Sequence, residues 1–318
     1  MSALEFEKPI AEIQKKIDEL QKLSSKHSDL WPEIKNLEQK IEIAKAKVYK
    51  NMTAWQRIQI ARHPKRPYTL DYIRLMMTDF VEIHGDRFFA DDFAMIAGFA
   101  KIDDEKVVVI GHQKGRDTSE NVKRNFGCAH PEGYRKAIRS MRLAEKFGLP
   151  VVIFIDTPGA YPGIGAEERG QAQAIAENLR DMTGLMTPII ATVIGEGGSG
   201  GALGVGVADY IIILQNAYYS VISPEGCASI LWRSATKAPE AAEALKLTGE
   251  HLIKFGIVDE ILPEPMGGAH HDPESVAAAL KESLLKQIKR LKGLSFKELT
   301  DKRYDKFRAI GKFTEKSA

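Results

Sequence analysis

The first sixty residues carry an apolar pattern that predicts a pair of helices. Leucine and isoleucine recur at three- and four-residue steps over Leu4–Leu23, and apolar residues do so again over Ile34–Val48. This is the spacing that places side chains on one face of a helix. Trp31-Pro32 separates the two stretches, and a proline suits the first turn of a helix. We therefore predict a helical hairpin within residues 1–62 whose apolar face covers the main domain, contacts a partner chain, or does both.

From Tyr68 onward, apolar segments of strand length alternate with segments of helical period, which predicts a layered α/β fold. The preceding run His63–Pro67 is predicted to be a linker, and a helix is expected at about 69–82. Strands are predicted at Ala94–Ile102, Lys106–Gly111, Val151–Asp156, Ile189–Ile194, Tyr210–Leu214 and Tyr218–Ser220. Further helices are predicted near 131–147, 166–184, 199–208, 224–235, 238–247, 250–255 and 273–292.

The strands at 94–102 and 106–111 are joined directly by Asp103-Asp104, so we expect them to form an antiparallel hairpin. Such a hairpin is incompatible with a purely parallel, doubly wound sheet. The α/β domain is assigned to residues 68–265. Residues 266–318 are assigned to a helical tail, of which the last twenty residues are charged and expected to be loosely held.

Composition narrows the class of protein. The chain has 318 residues, 44% of them hydrophobic and 28% charged, which suits one or two globular domains. A net charge of +2 gives no general nucleic-acid or membrane surface, and no apolar stretch reaches the ~18–20 residues of a membrane span. No signal peptide is visible, so a cytoplasmic location is expected. Two cysteines, Cys128 and Cys227, are too few for a disulfide framework or a four-cysteine zinc site, and no metal site is predicted.

The strongest chemical signal is a glycine run that follows an apolar strand. Five glycines occur from Gly195 to Gly201, and a small-residue helix follows. Glycines at a helix N-terminus let backbone N–H groups approach a ligand oxygen, as in an oxyanion hole. The run also contains Gly-x-Ser199-x-Gly, the pattern of a serine hydrolase elbow. Candidate partners of that serine are Asp209, Asp259, His251, His270 and His271. A phosphate loop is excluded because no Lys-Ser/Thr pair follows, whereas a tight, purely structural turn stays possible.

A second loop of the same kind follows the strand at 151–156. Its sequence, Asp156–Gly163, is rich in glycine and proline and leads into a helix. In an open α/β sheet, ligands bind outside the carboxyl ends of the strands. We therefore expect this loop to lie beside the glycine run, so that the two loops supply one amide donor each.

Other candidate residues carry weaker signals. Lys114 and Arg116 follow a strand beside glycine, where they either hold a substrate carboxylate or phosphate or form a solvated surface turn. His130 is a candidate for lining a pocket, and Cys227 is expected to be a packed small residue. The run His84–Arg87 is interpreted as a turn held by an ion pair.

These motifs together resemble one family, the alpha subunits of the bacterial acetyl-CoA carboxylase carboxyltransferase. The matching segments are His84–Arg87, Gly111–Arg116, Asp156–Gly163, Ala166–Gly170, Val193–Leu203, Ser220–Trp232 and Glu264–His270. The resemblance implies a crotonase-like fold of stacked ββα units. It also implies transfer of a carboxyl group from carboxybiotin, held on the biotin carboxyl carrier protein, to acetyl-CoA, which gives malonyl-CoA for fatty acid synthesis. The implied partners are a zinc-containing beta subunit, the carrier protein and biotin carboxylase.

The resemblance also implies a set of site residues. The amides of Gly200, Gly201 and Ala202 are assigned to the oxyanion hole for the biotin ureido oxygen. Further substrate-binding positions are assigned to Gly159, Ala160, Tyr161, Gly198, Lys114 and Arg116. Besides the serine hydrolase, two rival functions remain open on sequence alone. A single-chain hydratase, isomerase or thioesterase would need a carboxylate base, for which Glu196 or Glu225 would serve, and a scaffold subunit would bind no ligand.

Overall fold

A mixed β-sheet forms the centre of the molecule. The computed structural model describes residues 4–24 and 30–311. Within these ranges the strands are β1 Thr78–Glu82, β2 Met95–Ile102, β3 Glu105–His112, β4 Val151–Thr157, β5 Ile189–Gly198, β6 Tyr210–Leu214, β7 Tyr218–Ser220 and β8 Glu260–Leu262. Their order across the sheet is β1-β2-β3-β4-β5-β6-β8, and β7 pairs with the far end of β5. The first three strands are antiparallel and the others parallel, as the predicted hairpin requires.

Helices cover both faces of this sheet. Their bounds are α1 Lys8–Ser24, α2 Trp31–Lys50, α3 Ala54–Ala61, α4 Thr69–Met76, α5 Thr118–Lys123, α6 Pro131–Phe147, α7 Ile164–Glu168, α8 Gln171–Gly184, α9 Ser199–Leu203, α10 Pro224–Trp232, α11 Ala238–Leu245, α12 Gly249–Leu252, α13 Pro273–Lys292 and α14 Phe296–Arg308. Every residue of β4 and β5 is buried, because parallel strands in such a layered fold are covered on both sides. None of the described helices is long and apolar enough to cross a membrane.

The predicted helical hairpin is formed by α1 and α2. Its apolar face is a small cluster of its own, built on Ile10, Ile17, Ile34 and Ile41. The third helix, α3, was not predicted as a separate element and packs instead on the main body, where Arg57 donates to the backbone carbonyl of the residue after β6. The sequence boundary at residue 62 therefore includes one helix that belongs to the packing of the α/β domain.

Three predicted helices are wrong in extent. The helix expected over 69–82 ends at Met76, and Thr78–Glu82 is the edge strand β1, which pairs antiparallel to β2. The helix expected over 166–184 is divided between α7 and α8 at Gly170, whose φ of +79° lies in the left-handed region that favours glycine. The helix expected over 199–208 is also shorter, since α9 ends at Leu203.

The run 63–67 is not an exposed linker. Arg66 is among the most buried side chains of the molecule, and its guanidinium forms two hydrogen bonds of 2.6 and 2.7 Å with the carboxylate of Glu264. Its Nε also donates to the backbone carbonyl of Ile194 in β5, at 2.7 Å. This segment is therefore fixed to the sheet, and the prediction of a linker was wrong.

The tail is anchored as well. Helix α13 contributes Leu280, Leu284 and Ile288 to the main core. From α14, the buried Arg303 forms an ion pair of 2.8 Å with Asp209 and donates to three backbone carbonyls, one in the last turn of α8 and two between α8 and β5. The expectation that the last twenty residues are loosely held is therefore wrong up to residue 311. Residues 312–318 lie outside the described residues.

Candidate active site

The two predicted loops meet at the carboxyl ends of β4 and β5. A Cβ atom built on Gly201 would lie 2.3 Å from the carbonyl carbon of Gly159 and 2.5 Å from the amide nitrogen of Ala160. A Cβ atom on Gly198 would lie 2.2 Å from the carbonyl oxygen of Pro158. Real Cβ contacts are never this short, so both positions require glycine. The expectation that the loops lie side by side is confirmed.

The backbone N–H groups at this contact are not equivalent. In a helix that begins at Ser199, the amides up to Gly201 have no intrahelical acceptor, while Ala202 is the first that reaches the carbonyl of the N-cap residue. In the opposite loop, the Gly159 N–H donates to Thr157 Oγ1 at 3.1 Å. Within the described residues, the Ala160 N–H has no hydrogen-bond partner. Helix geometry thus favours Gly200, Gly201 and Ala160 as donors over Ala202 and Gly159.

Ser199 has the strained backbone of a hydrolase elbow but not its surroundings. Its φ of +53° is left-handed, which is uncommon for a residue with a side chain. Among the described residues, no histidine ring forms a hydrogen bond with its hydroxyl group. The candidate partners are engaged elsewhere: His251 contacts Thr248 at 3.1 Å, and His270 stacks on His63. A serine nucleophile would therefore lack a base.

The N-terminus of α9 lines two cavities. One, of about 450 Å³, is lined by the 158–162 loop, by Ser199 and Gly200, and by the turn from Val221 to Ser223. The other, of about 350 Å³, is mostly apolar and has Phe307 of α14 in its wall. Since both cavities share Ser199, Gly200 and Val221, a ligand in either one lies close to the start of α9.

Tyr161 lines the first cavity and is fixed by contacts to its ring and to its backbone carbonyl. Its ring stacks on the imidazole of His130 with centroids 4.2 Å apart. The side-chain amide of Gln171 donates to the carbonyl of Tyr161 at 3.0 Å and to that of Ala129 at 2.9 Å. His130 therefore orients the Tyr161 ring that lines the cavity.

Lys114 and Arg116 are both occupied by groups of the protein itself. Lys114 Nζ lies 2.7 Å from Asp156 and 2.7 Å from Glu196. Burial alone would lower the pKa of Lys114, but the two carboxylates raise it above its ordinary value. Arg116 pairs with Asp71 and its guanidinium lies 4.0 Å from the centre of the Tyr68 ring. The surface-turn interpretation is wrong for Lys114, and a role of either cation in binding substrate stays a prediction.

Glu196, one of the two carboxylates considered as a base, is unsuited to that task. Burial raises its pKa, but the charges of Lys114 and Arg62 outweigh burial and lower it to about 2. The other candidate, Glu225, pairs with Arg62 at 2.5 Å. A single-chain hydratase or isomerase would thus have no available base at these two positions. Sequence reasoning missed this ion-pair network, although Asp156 and Glu196 each stand where a strand ends.

The remaining candidates have structural surroundings. Cys227 is buried among Ala228 and Ala241, as expected. The 84–87 run is a turn, but Asp86 pairs with Arg135 of α6 at 2.8 Å instead of with its neighbour Arg87. In residues 4–24 and 30–311, no group of three or more His, Cys, Asp or Glu residues is arranged to hold a metal ion.

The mixed sheet and its amide-lined edge define a crotonase-like α/β protein. The fold is similar to the transcarboxylase 12S subunit (TM-score 0.55, 20% identity, 68% of this chain and 41% of that chain). It is also similar to the beta subunit of geranyl-CoA carboxylase from P. aeruginosa (TM-score 0.53, 15% identity, 80% of this chain and 45% of that chain). At these identities, the similarity establishes the fold alone.

Sequence comparison is more specific. A family model described as acetyl co-enzyme A carboxylase carboxyltransferase-like matches residues 3–311. Alpha subunits of acetyl-coenzyme A carboxylase carboxyl transferase are 54% identical over 312 residues in Geobacter metallireducens (98% of both chains) and 58% identical over 313 residues in Paraburkholderia phymatum (98% of this chain and 97% of that one). The chain belongs to the family of acetyl-CoA carboxylase carboxyltransferase alpha subunits.

Proposed function

We propose that this chain is the alpha subunit of a biotin-dependent carboxyltransferase that converts acetyl-CoA to malonyl-CoA. Its family and its 54–58% identity to named alpha subunits over nearly the full length support the overall reaction. The observation that supports its part in the chemistry is the contact of Gly201 with the 159–160 backbone, which brings the start of α9 beside the unpaired Ala160 amide.

Biotin fits this edge of the sheet. Among the described residues, the Ala160 N–H has no hydrogen-bond partner. Gly201 packs closely beside it, which is possible because Gly201 has no side chain. A cyclic urea presents one carbonyl oxygen, and such an oxygen is bound by converging N–H donors. When bound, carboxybiotin supplies the carboxyl group, and its ring nitrogen serves as the base once the carboxyl group has left.

The residues of this chain stabilise negative charge. We assign Gly200, Gly201 and Ala160 as the amide donors that would hold the ureido oxygen and stabilise negative charge on it. The helix α9 adds the positive end of its dipole at the same point. Because these donors are fixed before the reaction, little reorganisation is needed when the charge appears. No nucleophile is required, which agrees with the unpaired state of Ser199.

The second half of the reaction needs a second anion site. Removal of a proton from acetyl-CoA leaves negative charge on the thioester oxygen, and we assign the donors for that oxygen to a beta subunit. The carrier protein that holds biotin, and the biotin carboxylase that loads it, complete the proposed set of partners. Any zinc site is likewise assigned to the beta subunit.

The test is the reverse reaction, malonyl-CoA-dependent carboxylation of free biotin. It is measured with this chain alone, with a purified beta subunit alone, and with the two mixed. Activity only in the mixture is the expected result. Activity of this chain alone would instead indicate a complete site in one chain. A stable complex without activity would support the scaffold alternative and overturn the proposal.

A further inference from the structure

A buried ion-pair network lies directly beneath the amide-lined edge. At its centre, Lys114 Nζ lies 2.7 Å from Asp156 Oδ1 and 2.7 Å from Glu196 Oε2. The two carboxylates are 2% and 8% exposed, and Lys114 is 12% exposed. The backbone N–H of Glu196 donates to the same Asp156 oxygen at 2.9 Å. One ammonium group therefore joins the turn after β3 to the ends of β4 and β5.

The network continues on the other side of Glu196. Arg62, at the end of α3, donates from Nε to Glu196 Oε1 at 2.7 Å. Tyr218 of β7 donates its hydroxyl group to the same oxygen at 2.8 Å. The Nη1 group of Arg62 then reaches Glu225, in the first turn of α10, at 2.5 Å. Five elements of the fold thus share one chain of charged contacts.

Asp156, Glu196 and Tyr218 of this network each precede a loop that lines the 450 Å³ cavity. Asp156 precedes the 158–162 loop, Glu196 precedes the start of α9, and Tyr218 precedes the turn that contains Val221. The network therefore fixes the bases of the three cavity-lining loops, and not the loop tips that would touch a ligand.

A buried ion pair is a poor source of stability, because desolvation of both charges offsets their attraction. Four buried or half-buried charges are a costly way to hold a sheet edge that apolar residues could also fill. What charges supply is directional contact at fixed distance. Lys114 and Arg62 lie between the carboxylates of Asp156, Glu196 and the more exposed Glu225, so each carboxylate meets a cation where the loop bases come together.

We propose that Lys114 is a positioning residue, which sets the separation between the Ala160 amide and the amides of Gly200 and Gly201 through Asp156 and Glu196. The expected effect on kcat rests on the proposed function. The expected effect on the loop positions is independent of it. It differs from the sequence-based assignment of Lys114 to a substrate anion.

The test is Lys114→Met, which keeps the length of the side chain and removes its charge. The two carboxylates then face each other, and the loops move apart. We expect kcat of the complex with the beta subunit to fall about 100-fold near pH 8.5, the cost of ~1 Å of misplacement. The KM for malonyl-CoA is expected to change less than about twofold. As the pH is lowered, activity should partly recover in the variant alone, because loss of the Lys114 charge favours a proton on the Asp156–Glu196 pair, and that proton removes the repulsion.

A double variant makes the charge argument specific. Lys114→Met with Glu196→Gln leaves Arg62 paired with Glu225 and removes the repulsion between the two carboxylates, so we expect higher kcat near pH 8.5 than in the single variant and no recovery at low pH. If Lys114→Met does not fold, the double variant compared with Glu196→Gln tests the same charge effect.

The control is Asp209→Asn, which breaks a buried ion pair at the start of β6, away from the carboxyl ends of the strands. Its kcat should equal that of the unmodified complex at temperatures where it is folded.

A readout without activity separates this inference from the proposed function. Hydrogen exchange is measured on the isolated full chain, at peptides covering 157–163 and 197–203. Faster exchange there in Lys114→Met, and not in Asp209→Asn, is the expected result, even if the wild-type complex proved inactive. Unchanged exchange in both loops, together with unchanged kcat and pH profile, would overturn the proposal. A rise in KM for malonyl-CoA without loss of kcat would do so too, by returning Lys114 to substrate binding.

Discussion

Gly201 and Gly159 are in backbone contact: a Cβ atom on Gly201 would lie 2.3 Å from the carbonyl carbon of Gly159. The neighbouring Gly200 is different. A Cβ atom built there would lie 3.7 Å from Ile175 Cδ1, which is an ordinary van der Waals distance. Both glycines lie in the first turn of α9 and both carry proposed donor amides. A methyl group is therefore excluded at one position and tolerated at the other, which allows a matched pair of variants.

Gly201→Ala should separate α9 from the 158–162 loop while keeping the N–H group. The two sets of amides would no longer converge on one oxygen, so we expect kcat to fall roughly 100- to 1,000-fold, the usual cost of one lost oxyanion donor. Gly201→Pro, which removes the N–H itself, should do at least as much damage. The measurement is biotin carboxylation by the complex with the beta subunit.

Gly200→Ala is the control for this pair, since the added methyl group has space and the amide is kept. We expect its kcat to stay within about threefold of the wild-type value. Equal losses of kcat in Gly200→Ala and Gly201→Ala would contradict the steric argument. They would show instead that any added methyl group in the first turn of α9 lowers activity.

Ser199→Ala tests the hydrolase alternative. Alanine has the same difficulty as serine with a φ of +53°, so the change removes the hydroxyl group and little else. We expect carboxyl transfer to stay within about threefold of wild type, because no step of the proposed reaction uses that hydroxyl. Labelling of wild-type Ser199 by a fluorophosphonate, with loss of activity in the variant, would instead support a nucleophilic serine.

Arg303→Met should destabilise the whole α/β domain. The buried carboxylate of Asp209 would lose its partner, and three backbone carbonyls would lose a donor. Removing one member of a buried pair costs about 3–5 kcal/mol in the free energy of unfolding. Urea denaturation of the isolated chain measures this loss. Lys297→Met, which removes an exposed cation from the same helix, should leave the midpoint unchanged.

His270 makes stability depend on pH. Burial first, and then the neighbouring His63 and His271, lower its pKa to about 3, well below the value of about 6.5 in an unfolded chain. As pH falls, the unfolded state therefore takes up the proton first. The contribution of His270 is complete above about pH 6.5 and is lost as pH falls from there toward about 3.

The corresponding measurement is the thermal midpoint as a function of pH. His270→Gln should flatten its decline between about pH 6.5 and about pH 4.5, since one group that titrates only in the unfolded state is removed. Identical slopes in wild type and His270→Gln would refute the assignment.

The features that sequence predicted well are local. Alternating strands and helices, the hairpin through Asp103-Asp104, and the meeting of the Gly159 and Gly201 loops all follow from short-range pattern and from the rule that parallel strands end at one edge. The resemblance supplied the fold family and the reaction. It could not show that the Ala202 amide falls within the hydrogen bonding of α9, which depends on where that helix begins, or that the Gly159 amide donates to Thr157 Oγ1 within its own loop.

The features that sequence missed are pairs of distant residues. Arg66 lies in a proline-rich run typical of a linker, yet its partner Glu264 is 198 positions away. Arg303 meets Asp209 across 94 positions, and Lys114 meets Glu196 across 82. Each is a charged residue in a segment whose local composition indicates exposure. Burial of such a residue is decided by a partner that only the folded sheet brings near.

The ion-pair network beneath the cavity has a consequence for ionic strength. Mobile ions screen exposed charges within about 10 Å at 0.1 M salt, but they act much less on buried pairs. The spacing between the two amide loops is held by Lys114, Asp156 and Glu196, all of them largely shielded from water. Salt should therefore leave the reactive geometry intact and act on the encounter between this subunit and whatever molecule delivers the carboxyl group.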